Sequence, residues 1–209
     1  MHPIQHISTQ SHRQVIEEAK LIEQLEQGLE NAFRHLVDQH KDVVYNTCLG
    51  FLHNPHDAED VSQEVFIQVF DSIHDFRKEA SLSTWIYRIS VTKSLELIRY
   101  RKRKKRSWFF KALDGMFNEP DQEPDESTYG HPGLALENKE RAKVLFSEID
   151  KLTDKQRVAF TLQKIEGMSY QEVAKIMELS IPAVESLIHR AKNTLKKNLY
   201  HYYQQNELD

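Results

Sequence analysis

Arg190 shares a helical face with Ser186, His189, Asn193 and Lys197, and these side chains can do hydrogen-bonding chemistry on a nucleic acid. An arginine guanidinium donates two parallel hydrogen bonds to a guanine edge, and serine, asparagine and histidine reach neighbouring base edges or phosphates. Lysines late in the same helix meet phosphate oxygens. Glu185 stands beside them; it can accept from cytosine or repel phosphate. At about 100° per residue, Val184, Ile188, Ala191, Leu195 and Leu199 form an apolar stripe that must pack on other helices. The bland alternative is a solvated face on an ordinary helical hairpin.

A second basic feature lies far upstream. Seven of the eight residues from Arg99 to Arg106 are cationic: Arg99, Arg101, Lys102, Arg103, Lys104, Lys105 and Arg106. Such a run can neutralise several phosphates, and its place in mid-chain argues against a merely solubilising tail. Asp60, Gln63 and Glu64 are spaced to share one helix face. By composition alone that face is a solvated acidic stripe. Catalytic chemistry is not indicated. There is no glycine-rich phosphate loop and no nucleophile–base set, and Cys48, His53 and His56 are poorly spaced for a metal. No enzyme activity, cofactor or metal is expected.

The elements that position these residues are helices. One helix is expected over 12–27, ending at Gly28. A second covers 32–53, with Asn31 as its N-cap. Asn54-Pro55 breaks it and starts a third, acidic in its first turn, running to about Ile73. Residues 75–81 form a loop, and a fourth helix starts near Ser81–Ser83 and ends in the basic run. From 107 to 134 the chain changes character: Asp114, Glu119, Asp121, Glu123, Asp125 and Glu126 face one Lys111, among Pro120, Pro124 and Pro132. This is a mobile acidic linker, though Trp108, Phe109 and Phe110 at its start are too apolar for a plain spacer. Its acids could attract the basic run and draw the two halves together. Beyond it lie a helix over 134–152, a helix opened by a Thr153/Gln156 capping box and closed at Gly167, and a short helix opened by Ser169/Glu172. The turn 178–180 then leads into the last helix, with Pro182 in its first turn. A short helix, a tight turn and a basic helix in this order form a helix-turn-helix unit.

The chain is thus all-α, with two small helical domains (11–106 and 135–203), a disordered 1–10 and the linker 107–134. Its 209 residues, 39% hydrophobic and 29% charged with a net charge of −4, suit a polar protein with small cores. The lone Cys48 excludes an internal disulfide and reads as a small buried hydrophobe. With no apolar run of membrane-spanning length and no apolar signal core at the start, a cytoplasmic protein without membrane insertion is expected.

The residues from Leu152 to Leu199 resemble the fourth conserved region of extracytoplasmic-function sigma factors, and those from His56 to Ser90 resemble their second region. The resemblance covers roughly 30–200, in the right order and with an acidic linker between. It implies a dissociable subunit that gives bacterial RNA polymerase its promoter specificity, contacting the clamp and flap elements of the core enzyme. A D-x-x-Q-E motif, which docks on the clamp coiled coil in that family, falls here on Asp60, Gln63 and Glu64. The segment that melts the promoter −10 element maps to 75–88, making Phe76, Arg77, Lys78, Ser83, Thr84 and Arg88 candidate contacts. Unstacked bases gain about 1–3 kcal/mol from stacking on aromatic side chains, but Trp85 lies with Leu82, Ile86 and Ile89 and reads as core. Glu185, Ser186, His189, Arg190, Asn193 and Lys197 become −35 contacts, and an anti-sigma factor is an expected partner. Departures from the family pattern at Thr92, Glu96, Glu185 and Leu187 imply promoter sequences unlike the commonest family targets. The other readings are a stand-alone helix-turn-helix regulator and a sigma-like decoy that never initiates.

Overall fold

The computed structural model describes residues 16–113 and 136–206, with side chains described over 16–104, 141–200 and at 204. The expected disordered start, the linker from 114 to 134 and the side chains of Lys105, Arg106 and 108–110 lie outside the described residues. Every regular element among the described residues is helical. They are α1 (16–26), α2 (Glu30–Leu52), α3 (Pro55–Ser72), a 3₁₀ turn (Ile73–Asp75), α4 (Leu82–Leu113), α5 (Leu136–Lys151), α6 (Asp154–Phe160), a π turn (Thr161–Ile165), α7 (Tyr170–Met177) and α8 (Ile181–Asn206).

Local chemistry sets the breaks. Gly28 has φ +70° and ends α1, a conformation that costs glycine little. Because the chain turns there, α2 begins at Glu30, with Leu29 rather than Asn31 in the N-cap position. The turn from α2 to α3 takes two residues. His53 closes α2 in the left-handed region, and Asn54 Oδ1 accepts from the backbone N–H groups of His56 (2.9 Å) and Asp57 (3.3 Å). Those donors have no partner within the helix, so the cap fixes where α3 starts. Pro55 occupies its first turn.

Two readings of element ends are corrected. Helix α4 does not stop at the basic run but continues to Leu113, seven residues into the expected linker; Ser107 to Leu113 include no proline or glycine to break it. The helix expected from Thr153 to Gly167 changes pitch at Thr161, where Glu166 N–H reaches back five residues to Thr161 O (3.0 Å). Gly167 then ends the element at φ +71°. The second capping box is fully formed: Ser169 N–H donates to Glu172 Oε2 (2.8 Å) and Glu172 N–H donates to Ser169 Oγ (3.3 Å).

Helices α1–α4 enclose one core around Leu36, Val44, Cys48, Phe51, Val65, Val69, Leu82 and Ile86. Cys48 is fully buried and reduced, and burial raises its thiol pKa, as suits a packing residue. In the second half, Ile149, Leu152, Ala191 and Leu195 pack α5 on α8. The Arg157 guanidinium, wholly buried, donates to the Ile149 (3.3 Å) and Asp150 carbonyls at the end of α5. It satisfies acceptors that the helix leaves open.

The two halves touch. Val158, Leu162, Val173, Ile176 and Ile188 belong to the same apolar cluster as the α1–α4 core. Arg88 of α4 caps the C-terminal end of α7: Nη2 donates to Lys175 O (2.7 Å), Nε donates to Ile176 O (3.2 Å), and Nη1 pairs with Glu178 (2.7 Å). A cation at that end of a helix meets both open carbonyls and the negative pole of the dipole. His53 stacks on Phe146 of α5 with ring centroids 4.0 Å apart. Gly50 lies against Glu166 so closely that an added Cβ would fall 2.5 Å from Oε1. A side chain at position 50 would require that carboxyl to shift.

Candidate nucleic-acid and polymerase interface

Three surfaces carry the residues singled out in the sequence. On α3, Asp60, Gln63 and Glu64 are all exposed and share one face. One turn on, Ile67 continues that face at 60% exposure, beside Phe70 at 53%. Large apolar side chains left in water next to a polar stripe suit a protein-binding surface. A polar groove of about 530 Å³ runs from this face to α4, with Asp60, Glu64, Lys93, Glu96 and Arg101 among its lining.

On α8, Glu185, Ser186, His189, Arg190, Asn193 and Lys197 are exposed, while Val184, Leu187, Ile188, Ala191 and Leu195 are buried. The division follows the periodicity, with Leu187 added to the inner face. Arg190 Nε donates to Ser186 O at 3.3 Å, and Asn193 lies 3.0 Å from the His189 ring nitrogen. Both contacts run along the helix, so the polar groups stay at the surface.

The third surface is the loop 76–81 and the face of α4 behind it. Here the structure departs from expectation. Phe76 is buried (7% exposed), with its ring 5.1 Å from that of Trp85, so it anchors the loop and is not presented to a base. Arg77, Lys78 and Ser83 are exposed and Thr84 is half-buried. Arg88 is held by α7, and the cleft beside it, about 370 Å³, is lined by Val91, Thr92, Leu95 and Arg99 from α4 and by Asp154, Ile176 and Met177 from the second half. The −10 candidate face is therefore partly covered by the helix-turn-helix unit.

The basic run is also engaged within the chain. Arg99 pairs with Asp154 (2.8 Å), Lys102 donates to Asp150 O (2.8 Å), and Arg101 grips Asp57 with two bonds of 2.5 and 2.6 Å. Arg103 and Lys104 are exposed. The acids that Arg99 and Arg101 meet belong to α6 and α3. The pattern of the sequence did not disclose these partners, because they are 44 and 55 residues away.

A helical bundle with an outward acidic face, a basic helix and a helix-turn-helix unit together define a two-domain DNA-reading transcription factor. The comparisons place it more closely. The family Sigma-70 region 2 matches residues 36–104, and the family Sigma-70, region 4 matches residues 143–195. The chain is 30% identical over 195 residues to the ECF RNA polymerase sigma factor SigW of Bacillus subtilis, covering 86% of this chain and 95% of that one. It is 28% identical over 175 residues to the ECF RNA polymerase sigma-E factor of Escherichia coli, covering 84% and 90%. A solved structure of CnrH in complex with the cytosolic domain of CnrY shares its fold, with a TM-score of 0.58, 24% identity and coverage of 88% and 97%. So does the sigma factor RpoE in complex with the anti-sigma factor NepR from Bartonella quintana, with a TM-score of 0.50, 21% identity and coverage of 80% and 96%. The protein belongs to the extracytoplasmic-function sigma factors of the sigma-70 family, and its function is in transcription initiation. No helix among the described residues is long and apolar enough to cross a membrane.

Proposed function

We propose that this sigma factor docks on the clamp of core RNA polymerase through Asp60, Gln63 and Glu64, reads the −35 element with α8, and melts the −10 element with the loop 76–81 and the start of α4. The observation that carries this reading is the exposure of both the α3 stripe and the whole polar face of α8 on one chain. Within α8, Arg190 is the base-reading residue, Ser186, His189 and Asn193 flank it, and Lys197 meets phosphate. Glu185 tunes the −35 sequence. In the loop and α4, Arg77, Lys78, Ser83, Thr84 and Arg88 contact the −10 element. Arg103 to Arg106, with Arg99, Arg101 and Lys102 once their intramolecular partners let go, neutralise promoter phosphates. The flap of the polymerase is the further contact of the second domain.

An anti-sigma factor is the proposed negative partner. In support, one solved structure that shares the fold holds the sigma factor RpoE in complex with the anti-sigma factor NepR, and another holds CnrH with the cytosolic domain of CnrY. The arrangement of the chain alone adds a contribution of its own, because Arg88 cannot cap α7 and touch DNA at once. Run-off transcription with purified core polymerase on a fragmented genomic library tests the function. Promoter-specific transcripts that require both components are expected. Tight duplex binding by the chain alone, with no transcript, would favour a stand-alone regulator; core binding without initiation would favour a decoy.

A further inference from the structure

Helix α1 lies ahead of the Sigma-70 region 2 match, which begins at residue 36, yet it holds the loop 76–81 at two points. Glu18, Ile22, Leu25 and Glu26 share one face by helical spacing. Ile22 and Leu25 are buried at 4% and 6% exposure, which seats α1 on the core and sets where the two glutamates emerge. Glu18 Oε1 accepts from the backbone N–H of Leu82, the first residue of α4, at 2.6 Å. Glu26 pairs with Lys78 Nζ at 3.1 Å.

Each contact answers a local need. The first N–H groups of a helix have no partner within it, and a carboxylate there makes a charge-assisted bond and complements the positive pole. Ser81 satisfies another donor of that first turn: Thr84 N–H donates to its Oγ at 3.2 Å. Lys78 stands at φ +59°, a region that a long side chain rarely adopts, so something must hold it. At the loop's other end Phe76 is fastened to Trp85. Arg77 in the loop and Ser83 in the first turn of α4 are thus presented to solvent from backbone that is tied down around them. A surface that captures an unstacked base gains from such preorganisation, because less ordering remains for the moment of binding. A carboxylate this near a DNA face would repel phosphate unless its charge were spent on the helix end.

We propose that Glu18 is a positioning residue for promoter melting, setting the loop 76–81 and the first turn of α4 in the shape that receives an unstacked −10 base, with Glu26 assisting through Lys78. The inference rests on the assignment of that loop to the −10 element. It is tested with the full chain and core polymerase, using Glu18→Ala, Glu18→Gln and Ser83→Ala on the neighbouring face of α4. Thermal unfolding and core affinity serve as controls. The readouts are permanganate reactivity of −10 thymines and the relative transcription of promoters that differ at single −10 bases. Glu18→Ala is expected to lower open-complex yield about fivefold, the factor that losing an ordinary helix cap corresponds to, and to flatten the −10 base preference. Glu18→Gln keeps an acceptor and should recover part of both. If Ser83→Ala lowers melting and Glu18→Ala alters neither melting nor preference, the inference fails and the loop assignment stands. If neither variant has an effect, both fail. A loss in Glu18→Ala that only tracks unfolding or lost core affinity, with base preference intact, also overturns it.

Discussion

The two surfaces proposed to face the promoter differ in what the rest of the chain does to them. On α8 the polar face from Glu185 to Lys197 is exposed along its length. On α4 the corresponding face is partly covered, with Arg88 clamped on α7 and a shared cleft beneath it. Both faces are polar and basic in sequence, so composition does not separate them. What separates them is apolar content behind the polar residues. Val91 and Leu95 are buried on the covered side of α4, facing a cleft whose far wall is Val158, Ile176 and Met177. Burying such surface drives the halves together at about 25 cal/mol per Å², and the face proposed for the −10 element is covered as a consequence. The linker acids lie outside the described residues; among those described, the run pairs with Asp154 and Asp57, and surface pairs of that kind contribute little alone.

The contrast can be broken most strongly at the surface that takes no part in closure. Replacing Asp60, Gln63 and Glu64 together by alanine should weaken core polymerase binding by a hundredfold or so, as expected when a charged cluster central to an interface is removed. Helicity and the radius of gyration of the isolated chain should not change. A pull-down with core enzyme checks the first and circular dichroism with small-angle scattering the second. Unchanged affinity would assign docking elsewhere, with Ile67 and Phe70 the next surface to probe.

On the open face, Arg190→Ala should relax −35 preference by about 1–3 kcal/mol, the range for a bidentate arginine–guanine contact. Transcription from a −35 library is the measurement. Equal losses on every sequence would show a phosphate contact instead, while closure should be untouched because the residue is exposed in the closed chain.

Gly50→Ala acts on the covered face from the other side. Alanine favours a helix interior by about 1 kcal/mol over glycine, so α2 itself should gain. The same methyl would meet Glu166 at 2.5 Å and wedge the halves apart. We expect a larger radius of gyration, with the thermal stability of the first domain unchanged or raised. A compact variant would show that Glu166 simply swings aside.

The smallest effect concerns protons. Burial pushes the Glu166 carboxyl up to about 7 from an ordinary value of 4.5. Tyr87 of α4 and Cys48 of α2, which feel its charge, are themselves raised, so neither titrates near neutrality. The sign follows from proton counting. Below about pH 4.5 both forms hold the proton, and closure is insensitive to this group. Between the two values the closed form holds more protons, so closure weakens as pH rises, by at most tenfold per unit. Above about 7 the dependence levels off. Scattering across pH 5–8 reads the compaction, and Glu166→Gln should remove the slope. His53 stacks on Phe146 at the same seam; His53→Asn, which tolerates the left-handed backbone, separates any contribution from it. A slope that survives Glu166→Gln and vanishes in His53→Asn would transfer the effect to His53.

Much of the fold was legible because helices announce themselves locally. The spacing of Val184, Ile188, Ala191 and Leu195 put the inner face of α8 where it is, and Asn54-Pro55 and Ser169/Glu172 marked starts that depend on residues two or three positions apart. The candidate site was legible in part: the α8 face needed only periodicity to find, whereas the α3 stripe stood out through the resemblance to the family motif. Phe76 was misplaced because an aromatic in a loop carries no sign of which neighbour it will pack on. Trp85, one helical turn into α4, decided that.

What the sequence determined by itself was the set of helices, most of their ends to within a few residues (α4 excepted), the polar faces they present, and family membership through two motifs in order. These are properties of segments, set by bonds and contacts within a turn or two of the chain. Only the tertiary structure decided that Glu18 caps a helix 64 residues downstream, that Arg157 is buried to satisfy carbonyls of α5, that Arg88 closes α7, and that Gly50 makes room for Glu166. Each depends on which faces meet. That choice rests on summed apolar burial across the whole chain, and no local pattern records it.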